Sequence, residues 1–495
     1  MLVVALDVGT SSARARVFDA AGRAQAGAEG HVAYEPTTSA DGGVELHPGA
    51  LMEAVASALD RCLAGAGARA GDVAAVGVSV FWHSLLALDG DGRPLTPVIT
   101  WADTRAAAAA LALRREHDER AIHARTGAPL HSAFFPAKLR WLQRARPEVF
   151  RRAATWCGFG EYLQAQLTGA LSASLSMASG TGLLDQARGR WDETMMEAAG
   201  IAASTLPRID DTATPGLRAP WASRWPALAR VPWHPARGDG ACSNVGSDCW
   251  GPGRIALNVG TSAALRVVLL EPLGPHAATP WGLWRYRIDA TRALVGGATS
   301  EGGNVPAWCR KVLALPAHEA ALEQAIAAVP PDGHHLTALP FFAGERSPGW
   351  RPEARAAVAG LSLDTGPGEI TRALLEAVAF RLAEIYDRLR PLAATGHVVV
   401  GSGGALGHSA AWAQIITDAL GVPIALGTDA EASARGAALL ALEALGQPPP
   451  PEPVPARVLQ PDPATHARYR AARSRQSRLY ESIVGNRISG PVATP

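Results

Sequence analysis

The alternation of apolar and polar positions at the start of the chain predicts a strand, a tight turn and a second strand. The continuous apolar run LVVAL (2–6) is followed by turn-forming residues and then by the alternating segment ARARVFD (13–19). The segment AQAGAEGHVAYE (24–35) predicts a third strand that completes an antiparallel meander. Apolar residues at helical spacing predict a helix from Pro48 to about Gly65, and the run VAAVGVSV (73–80) predicts a buried strand.

The same series of elements returns in the second half of the chain. The segments 254–270 and 293–314 repeat the earlier pattern, a long helical pattern covers 367–389, and a further apolar strand pattern begins at His397. Three antiparallel strands, a helix and a parallel strand make up a ribonuclease-H-like unit. The duplication therefore predicts an α/β protein with two ribonuclease-H-like domains and a cleft between them.

The length of 495 residues is too great for one hydrophobic core and predicts two or three domains. We expect an N-terminal domain over 1–245 and a C-terminal domain over 246–446. The last segment, 447–495, begins with QPPPPEPVP, which predicts a linker, and continues with a pattern that predicts an exposed terminal helix.

Composition narrows the class of protein. The net charge of +1 does not favour binding to nucleic acid or to an anionic membrane surface. The five cysteines are scattered without a CxxC pair, which predicts neither a disulfide framework nor a zinc site and favours a reducing compartment. The start of the chain lacks the basic segment of a signal peptide, and no run of 18 apolar residues occurs. We expect a cytoplasmic protein.

One short loop occurs twice, about half a chain apart. ALDVGTSSARARV (5–17) and ALNVGTSAALRVV (256–268), aligned without a gap, are identical at eight of thirteen positions. A Gly-Thr-Ser turn presents backbone N–H groups and hydroxyls to one point, and Gly9 and Gly260 allow phosphate oxygens to approach the backbone. Two such loops facing each other would hold a polyphosphate, with Asp7 placed to hold Mg²⁺ where Asn258 cannot. The alternative is that each loop is only a hairpin turn.

Other phosphate-binding signatures are absent from the sequence. The chain has no G-x-x-x-x-G-K-[ST] loop and contains only two lysines, Lys138 and Lys311. The H-R-D and D-F-G elements of protein kinases are also absent.

Five segments, in order, resemble the motifs of the FGGY family of carbohydrate kinases, which shares the actin-like ATPase fold. ALDVGTSSARARVFD resembles its first phosphate loop, ITWADTRA its W-x-D-x-R element and GDGACSNVG its catalytic segment. AGLSLDTGPGEITRALLE fits its C-terminal pattern, and VVVGSGGALGHSAAWAQIITDALGVPI resembles its adenosine motif. The resemblance covers nearly the whole chain and implies a kinase that uses ATP and Mg²⁺ to phosphorylate a sugar or sugar acid.

The resemblance also implies which residues contact the nucleotide and the metal. His408 stands where relatives often have Asn, and Asp7 is the implied metal residue. The implied nucleotide contacts are Thr10, Ser11, Ser12, Arg14, Gly260, Thr261, Ser262, Gly303, Gly403, Gly404 and His408.

Asp239, in RGDGACSNVG, is the candidate general base. Phosphoryl transfer to a hydroxyl needs in-line positioning, charge neutralisation and a group that takes the hydroxyl proton. A carboxylate in a glycine-flanked turn suits that task, but DGAC would equally suit a helix N-cap. The residues alone leave both roles open, and the resemblance favours the base.

The candidate sugar contacts are Trp82, His83, Asp103 and Arg105. WHSLLALDGDGRPLTPVITWADTRA, TGAPLHS and FFAGERSPGWRPEARA most resemble the gluconate-kinase branch of the family, whose substrate is a six-carbon aldonate. Arg105, Lys138 or His83 would then meet its carboxylate. Ser174 stands where many relatives have Asp, and a ketose such as xylulose or ribulose stays an alternative substrate.

Two other functions are open at this level. HVVVGSGGALG, followed by Asp429 after a later strand, is a weak match to a dinucleotide-binding dehydrogenase. A non-enzymatic actin-like ATP switch shares the fold but would need neither Asp239 nor the Trp82, His83 and Asp103 cluster. A homodimer is a candidate assembly.

Overall fold

The computed structural model describes residues 1–427, 431–451, 455 and 457–485. The N-terminal half is built on a five-stranded mixed sheet. Strand Leu2–Val8 pairs antiparallel with strand Ser12–Asp19 and parallel with strand Val73–Val80, as the sequence predicts. In spatial order its strands are Arg237–Gly238, Val73–Val80, Leu2–Val8, Ser12–Asp19 and Ala24–Ala33.

The C-terminal half repeats this order in a seven-stranded sheet. Its strand Arg254–Val259 again lies between an antiparallel hairpin partner and a parallel strand. The predicted duplication of a whole α/β unit is therefore confirmed. In spatial order its strands are Trp284–Arg287, Arg292–Thr299, Ala263–Leu270, Arg254–Val259, Val398–Ser402, Ile424–Leu426 and Arg457–Leu459.

Helices cover both faces of the N-terminal sheet, and on each face the helix backbone touches the strand backbone at a glycine. A Cβ on Gly30 would lie 2.0 Å from the Ala58 carbonyl oxygen of helix Pro48–Ala66. A Cβ on Gly77 would lie 2.2 Å from the Ala437 carbonyl oxygen of helix Ala432–Ala444. Because side chains alternate along a strand, the register places these two contacts on opposite faces. A helix late in the chain thus packs on the first sheet.

The helix Asp239–Gly246 packs tightly against helix Ala432–Ala444. A Cβ on Gly246 would lie 1.8 Å from the Ala432 carbonyl oxygen, and one on Gly436 would lie 1.8 Å from the Cys242 carbonyl oxygen. Only glycine fits at these two positions, so the C-terminal part of helix Asp239–Gly246 is held close to the start of helix Ala432–Ala444.

The C-terminal sheet has its own apolar core, in which helices Pro367–Leu389 and Ala410–Leu420 pack. The terminal helix, Pro463–Ile483, joins this core, which corrects the prediction that it is exposed. Tyr469 is fully buried, and its hydroxyl donates to Glu376 at 2.9 Å. Sequence periodicity did not show this because the helix buries only a narrow stripe between many arginines.

About 150 residues between strands Val73–Val80 and Arg237–Gly238 form an insertion of short elements. None of the described helices is long and apolar enough to cross a lipid bilayer. All five cysteines are buried, and Cys62, Cys157, Cys242 and Cys309 have free thiols. The other helices are Ala107–Glu116, Glu119–Thr126, Phe135–Ala145, Pro147–Arg152, Phe159–Thr168, Leu175–Ser179, Glu193–Ala199, Trp221–Arg224, Asn304–Val312, Glu319–Ala328 and Gly404–His408. The short strands are Thr37–Thr38, Val44–Leu46, Leu86–Leu88, Val98–Ile99, Thr155–Cys157, Ser172–Ala173, Leu184–Asp185, Arg190–Trp191, Arg208–Ile209, Thr337–Leu339 and Ala357–Ala359.

Candidate active site

The two repeated loops connect equivalent hairpin strands but differ in length by one residue. Val8 pairs with Ala13 across the first hairpin, whereas Val259 pairs with Ala263 across the second. The Gly9 N–H donates to the Ser12 carbonyl at 2.9 Å, and the Gly260 N–H donates to the Ser262 carbonyl at 2.9 Å. We call Gly9–Ser12 the first loop and Gly260–Ser262 the second loop.

This one-residue difference changes which strand residues correspond. Ala5 lies opposite Arg16 in the first hairpin, and Ala256 lies opposite Arg266 in the second. Arg16 and Arg266 therefore occupy matching positions. The gap-free alignment of the two segments placed Val267 opposite Arg16 and so did not reveal this pair.

The residues before the two loops make matching contacts with different charge. Ser79 Oγ donates to the Asp7 carboxylate at 2.7 Å, and Asn258 Nδ2 donates to Ser402 Oγ at 3.1 Å. Burial raises the pKa of Asp7 to about 6; the Ser79 hydrogen bond opposes that shift, and the Asp239 carboxylate adds to it.

Both halves of the chain border one cavity of about 670 Å³. Its walls bring together predicted residues that are far apart in sequence, and it also includes Arg266, Ser243, Asn258 and Glu431, which were not predicted. Thr10 and Ser11 form the tip of the first loop and Ser12 is buried at its base; these three are not among the described wall residues. The predicted residues in the wall are Asp7, Arg14, Asp239, Ser262, Gly403 and Gly404.

Asp239 is the first residue of helix Asp239–Gly246, and Gly238 is the N-cap. The Asp239 carboxylate accepts a hydrogen bond from the Gly240 N–H at 2.8 Å and borders the cavity. Burial raises the pKa of Asp239, while the Arg266 guanidinium opposes the shift. A carboxylate with a raised pKa is a better proton acceptor than one in water.

A second cavity of about 630 Å³ adjoins the first at Gly404. Its walls contain the predicted Gly260, Thr261, Gly303 and His408, and His408 Nδ1 lies 2.6 Å from the Gly404 carbonyl oxygen. Gly403 has a φ of 99°, and a Cβ there would lie 2.4 Å from the Val259 carbonyl oxygen. The apolar wall was missed by sequence reasoning because its residues come from three separate helices: Leu322, Ile326, Leu375 and Trp412.

Trp82 lies directly against the turn that leads into Asp239, and His83 is the next residue along the chain. A Cβ on Gly238 would lie 1.8 Å from the Trp82 ring, and the Trp82 indole N–H donates to the Ser176 carbonyl at 3.0 Å. His83 Nδ1 lies 2.5 Å from the Gly180 carbonyl oxygen, and burial lowers the pKa of His83 to about 3. A carbonyl only accepts, so Nδ1 carries the proton of an uncharged ring and Nε2 offers a lone pair.

Asp103 and Arg105 are engaged with each other. The Arg105 guanidinium donates to Asp103 at 2.6 Å and also pairs with Glu45, and it lies 4.5 Å from the centre of the Trp141 ring. The structure places neither residue in the walls of the two cavities. Lys138 is fully buried, and its ammonium group donates to the His83 carbonyl at 2.5 Å and to the Thr100 carbonyl at 2.8 Å.

Ser174 has a supporting contact that sequence reasoning did not assign. Its hydroxyl donates to the Ala236 carbonyl at 2.6 Å, and Ser176 Oγ accepts from the Gly238 N–H at 3.1 Å. Two serines thus fix the backbone that leads into Asp239.

Comparison with known proteins decides the family of this chain. Residues 2–246 match the N-terminal domain of the FGGY family of carbohydrate kinases, and residues 255–445 match its C-terminal domain. The chain belongs to the FGGY family of carbohydrate kinases. It is therefore an ATP-dependent phosphotransferase with an alcohol acceptor, and the actin-like fold expected from the sequence is confirmed.

The relatives of this FGGY kinase have different acceptors. It is 27% identical to a gluconokinase of Bacillus subtilis (strain 168), over 90% of this chain and 88% of that protein. It is 31% identical to a glycerol kinase of Allorhizobium ampelinum, over 90% of each chain. A ligand-bound xylulose kinase from Lactobacillus acidophilus superposes with a TM-score of 0.88 at 26% identity, covering 98% of both chains.

Membership in the FGGY family removes the two alternative functions. A dehydrogenase and a non-enzymatic ATP switch are both wrong, because the family match spans both halves of the chain. Asp429, which the dehydrogenase alternative invoked, lies outside the described residues.

Proposed function

We propose that the chain transfers the terminal phosphoryl group of MgATP to a hydroxyl of a polyhydroxy acceptor, with Asp239 as the general base. The observation that carries this proposal is the shared cavity, which Asp7 and Asp239 border together with residues of both hairpins. We also propose the domain division 1–245 and 246–446. A cytoplasmic location and a homodimer stay predictions.

The site fits a divalent cation. Asp7 and Asp239 are half-buried carboxylates on one cavity, and the Glu431 carboxylate, on the same cavity, further raises the pKa of Asp7. Such like-charge crowding is relieved by a cation, and oxygen ligands are those that Mg²⁺ prefers. Asp7 would hold Mg²⁺, directly or through water, and the cation would neutralise phosphate charge.

The nucleotide would extend across both cavities. The adenosine part fits the second cavity, where Leu322, Ile326 and Trp412 offer apolar surface and His408 borders the opening. Gly303, Gly403 and Gly404 keep the connecting backbone free of side chains. The phosphates would lie at the two loops, contacted by Thr10, Ser11, Ser12, Arg14, Gly260, Thr261 and Ser262.

The reaction needs one proton acceptor. As the acceptor oxygen forms its bond to phosphorus and the bond to ADP breaks, the hydroxyl proton moves to the Asp239 carboxylate. Arg266 and Arg346 offset the Asp239 charge, and the Gly240 N–H fixes its orientation. Closure of the cleft would exclude water and so suppress hydrolysis of ATP.

The acceptor would lie beside Trp82 and His83. A Trp face packs against C–H groups of a polyol, and the free Nε2 lone pair of His83 accepts from a hydroxyl. Asp103 and Arg105 stay predictions as sugar contacts, since each is engaged by the other and by Glu45. The acceptor candidates are a gluconate-like aldonate first and a ketopentose such as xylulose or ribulose second.

Asp239→Asn tests the proposal. Asn preserves shape and any role at the helix start but can neither accept the proton nor carry the negative charge beside Arg266 and Arg346, and kcat should fall by about 10²–10⁴. ADP release is measured with gluconate, xylulose, ribulose, erythritol and glycerol. Asp118→Asn is the matched control, since Asp118 caps helix Glu119–Thr126 and should be replaceable without loss. Undiminished acceptor-dependent ADP release by Asp239→Asn would contradict the proposal.

A further inference from the structure

We propose that the acceptor is a sugar acid and that Arg266 and Arg346 bind its carboxylate. This inference rests on the proposed kinase function and narrows its substrate class. It assigns the carboxylate to two arginines that the sequence patterns did not single out.

Arg266 is aimed at the catalytic turn. It lies on strand Ala263–Leu270, on the same sheet face as Asn258, and borders the first cavity. A Cβ on Gly240 would lie 3.4 Å from Arg266 Nε and 2.8 Å from the Trp82 ring, so Gly240 separates the two side chains. Arg266 Nε is buried without a hydrogen-bond partner, and no ion pair joins Arg266 to another described residue.

The duplicated half offers an internal contrast. Arg16, at the matching position of the first hairpin, pairs with Glu29 at 2.7 Å and with Glu431 at 2.6 Å. The positive charge of Arg16 is therefore balanced by carboxylates of the protein itself. The charge of Arg266 has only the Asp239 carboxylate nearby, beyond the distance of an ion pair.

Arg346 comes from a different segment, is not among the wall residues of the two cavities, and interacts electrostatically with the same carboxylate as Arg266. Its guanidinium lies 5.4 Å from the centre of the Trp101 ring, and it makes no hydrogen bond or ion pair with any residue in the described part of the chain. The carboxyl groups that act on it are those of Asp239 and Glu301, and burial raises the pKa of Glu301 to about 7. Arg346 thus lies near the base and close to His83, whose pKa it helps to lower.

Tyr286 completes a set of unsatisfied donors. Its hydroxyl is buried without a partner among the described residues, and its ring lies 4.9 Å from Trp82 and 5.4 Å from His83. Buried donors without partners are costly, and an acceptor with a carboxylate would satisfy them.

Charge balance favours an acid over a neutral sugar. The Asp239 carboxylate acts on both half-buried guanidinium groups, and a sugar acid would bring a second negative charge to them where a neutral ketose would bring none. The three side chains that the sequence suggested as carboxylate contacts have other partners or no charge. Arg105 is paired with Asp103 and Glu45, the Lys138 ammonium donates to backbone carbonyls, and the His83 ring is uncharged.

The test compares D-gluconate with D-gluconamide, which has the same stereocentres and shape without the charge. The wild-type protein with MgATP should phosphorylate gluconate with a kcat/KM at least about 100-fold above that for gluconamide. In Arg266→Met and Arg346→Met this ratio should fall at least about tenfold, mainly through the KM for gluconate. Arg16→Met is the matched control and should leave the ratio unchanged.

A binding measurement needs no variant. Without nucleotide, gluconate should raise the melting temperature of the wild-type protein more than gluconamide at the same concentration. Because this measurement uses only the wild-type protein, it tests the inference even if a variant fails to fold.

Other outcomes overturn the inference. Equal kcat/KM for gluconate and gluconamide, or turnover of xylulose but not gluconate, would contradict it and leave the kinase function standing. Equal losses with both acceptors in Arg266→Met and Arg346→Met would assign these arginines to the transferred phosphate. Phosphorylation of no acceptor in the panel would instead overturn the proposed function.

Discussion

The two hairpins of this kinase have the same architecture and different charges. Each places a polar residue before the loop, and each polar residue contacts a serine on the parallel neighbouring strand, Ser79 for Asp7 and Ser402 for Asn258. Only the first copy carries a carboxylate. The two copies therefore share the hairpin and the contact with a serine, and only the first keeps the carboxylate that we propose holds the metal ion.

The arginines of the two hairpins show the reverse division. Arg16 of the first copy forms ion pairs with Glu29 and Glu431, whereas Arg266 of the second borders the cavity without one among the described residues. At these matching positions the first copy keeps its arginine in ion pairs, and the second leaves its arginine at the cavity. The comparison teaches that matching positions in a duplicated fold can serve structure in one half and ligand binding in the other.

Asp7→Asn removes the charge difference between the copies and should have the largest effect. It makes the first hairpin resemble the second, and kcat/KM for ATP should fall by about 10²–10³, since a metal contributes several kcal/mol to phosphoryl transfer. ADP release is measured over a range of Mg²⁺ concentrations. Asn258→Asp is the reciprocal control; it adds a negative charge near the triphosphate and should weaken ATP binding without any gain in rate. Unchanged activity of Asp7→Asn would show that the two copies are equivalent.

The buried histidines of the N-terminal half should make the protein less stable in acid. Burial lowers the pKa of four histidines there, to about 3 for His83 and His131 and to about 4 for His234; His123 is shifted in the same direction. Below about pH 6.5 these histidines bind protons in the unfolded state but stay uncharged in the folded state. Their contribution to the free energy of unfolding therefore falls as pH drops from 6.5 towards 4.

His131→Asn measures one share of this effect. Asn can still accept the hydrogen bond that the Ala133 N–H donates to His131 Nδ1. Between pH 7.5 and 5 the variant should lose about 2 kcal/mol less unfolding free energy than the wild type, as measured by urea unfolding. An identical pH dependence of wild type and variant would show that His131 takes up no proton on unfolding.

The smallest effect should come from the serines behind the two loops. Ser79→Ala removes a hydrogen bond to a charged carboxylate and should lower kcat/KM for ATP about tenfold. Ser402→Ala removes a neutral hydrogen bond and should lower it only about threefold. Coupled assays of ADP release measure kcat/KM for ATP in both variants and in the wild type. A larger loss in Ser402→Ala would reverse the order of importance assigned to the two loops.

The sequence predicted the duplicated sheets because alternation and turn residues are local signals. It also predicted that Asp7, Asp239 and the second loop belong together, and they border one cavity. It did not predict Arg266 and Arg346 as neighbours of Asp239, because these three residues meet only after segments up to about 100 residues apart have packed. The engagement of Arg105 by Glu45 was likewise hidden, since the two lie 60 positions apart.

The central claim is that both loops hold one triphosphate beside Asp239. A crystal structure with Mg²⁺, a non-hydrolysable ATP analogue and gluconate tests it most directly. The account predicts phosphates in contact with both Gly9–Ser12 and Gly260–Ser262, the metal at Asp7, and an acceptor hydroxyl within hydrogen-bond distance of Asp239. A triphosphate bound to one loop alone, or an acceptor hydroxyl remote from Asp239, would contradict it.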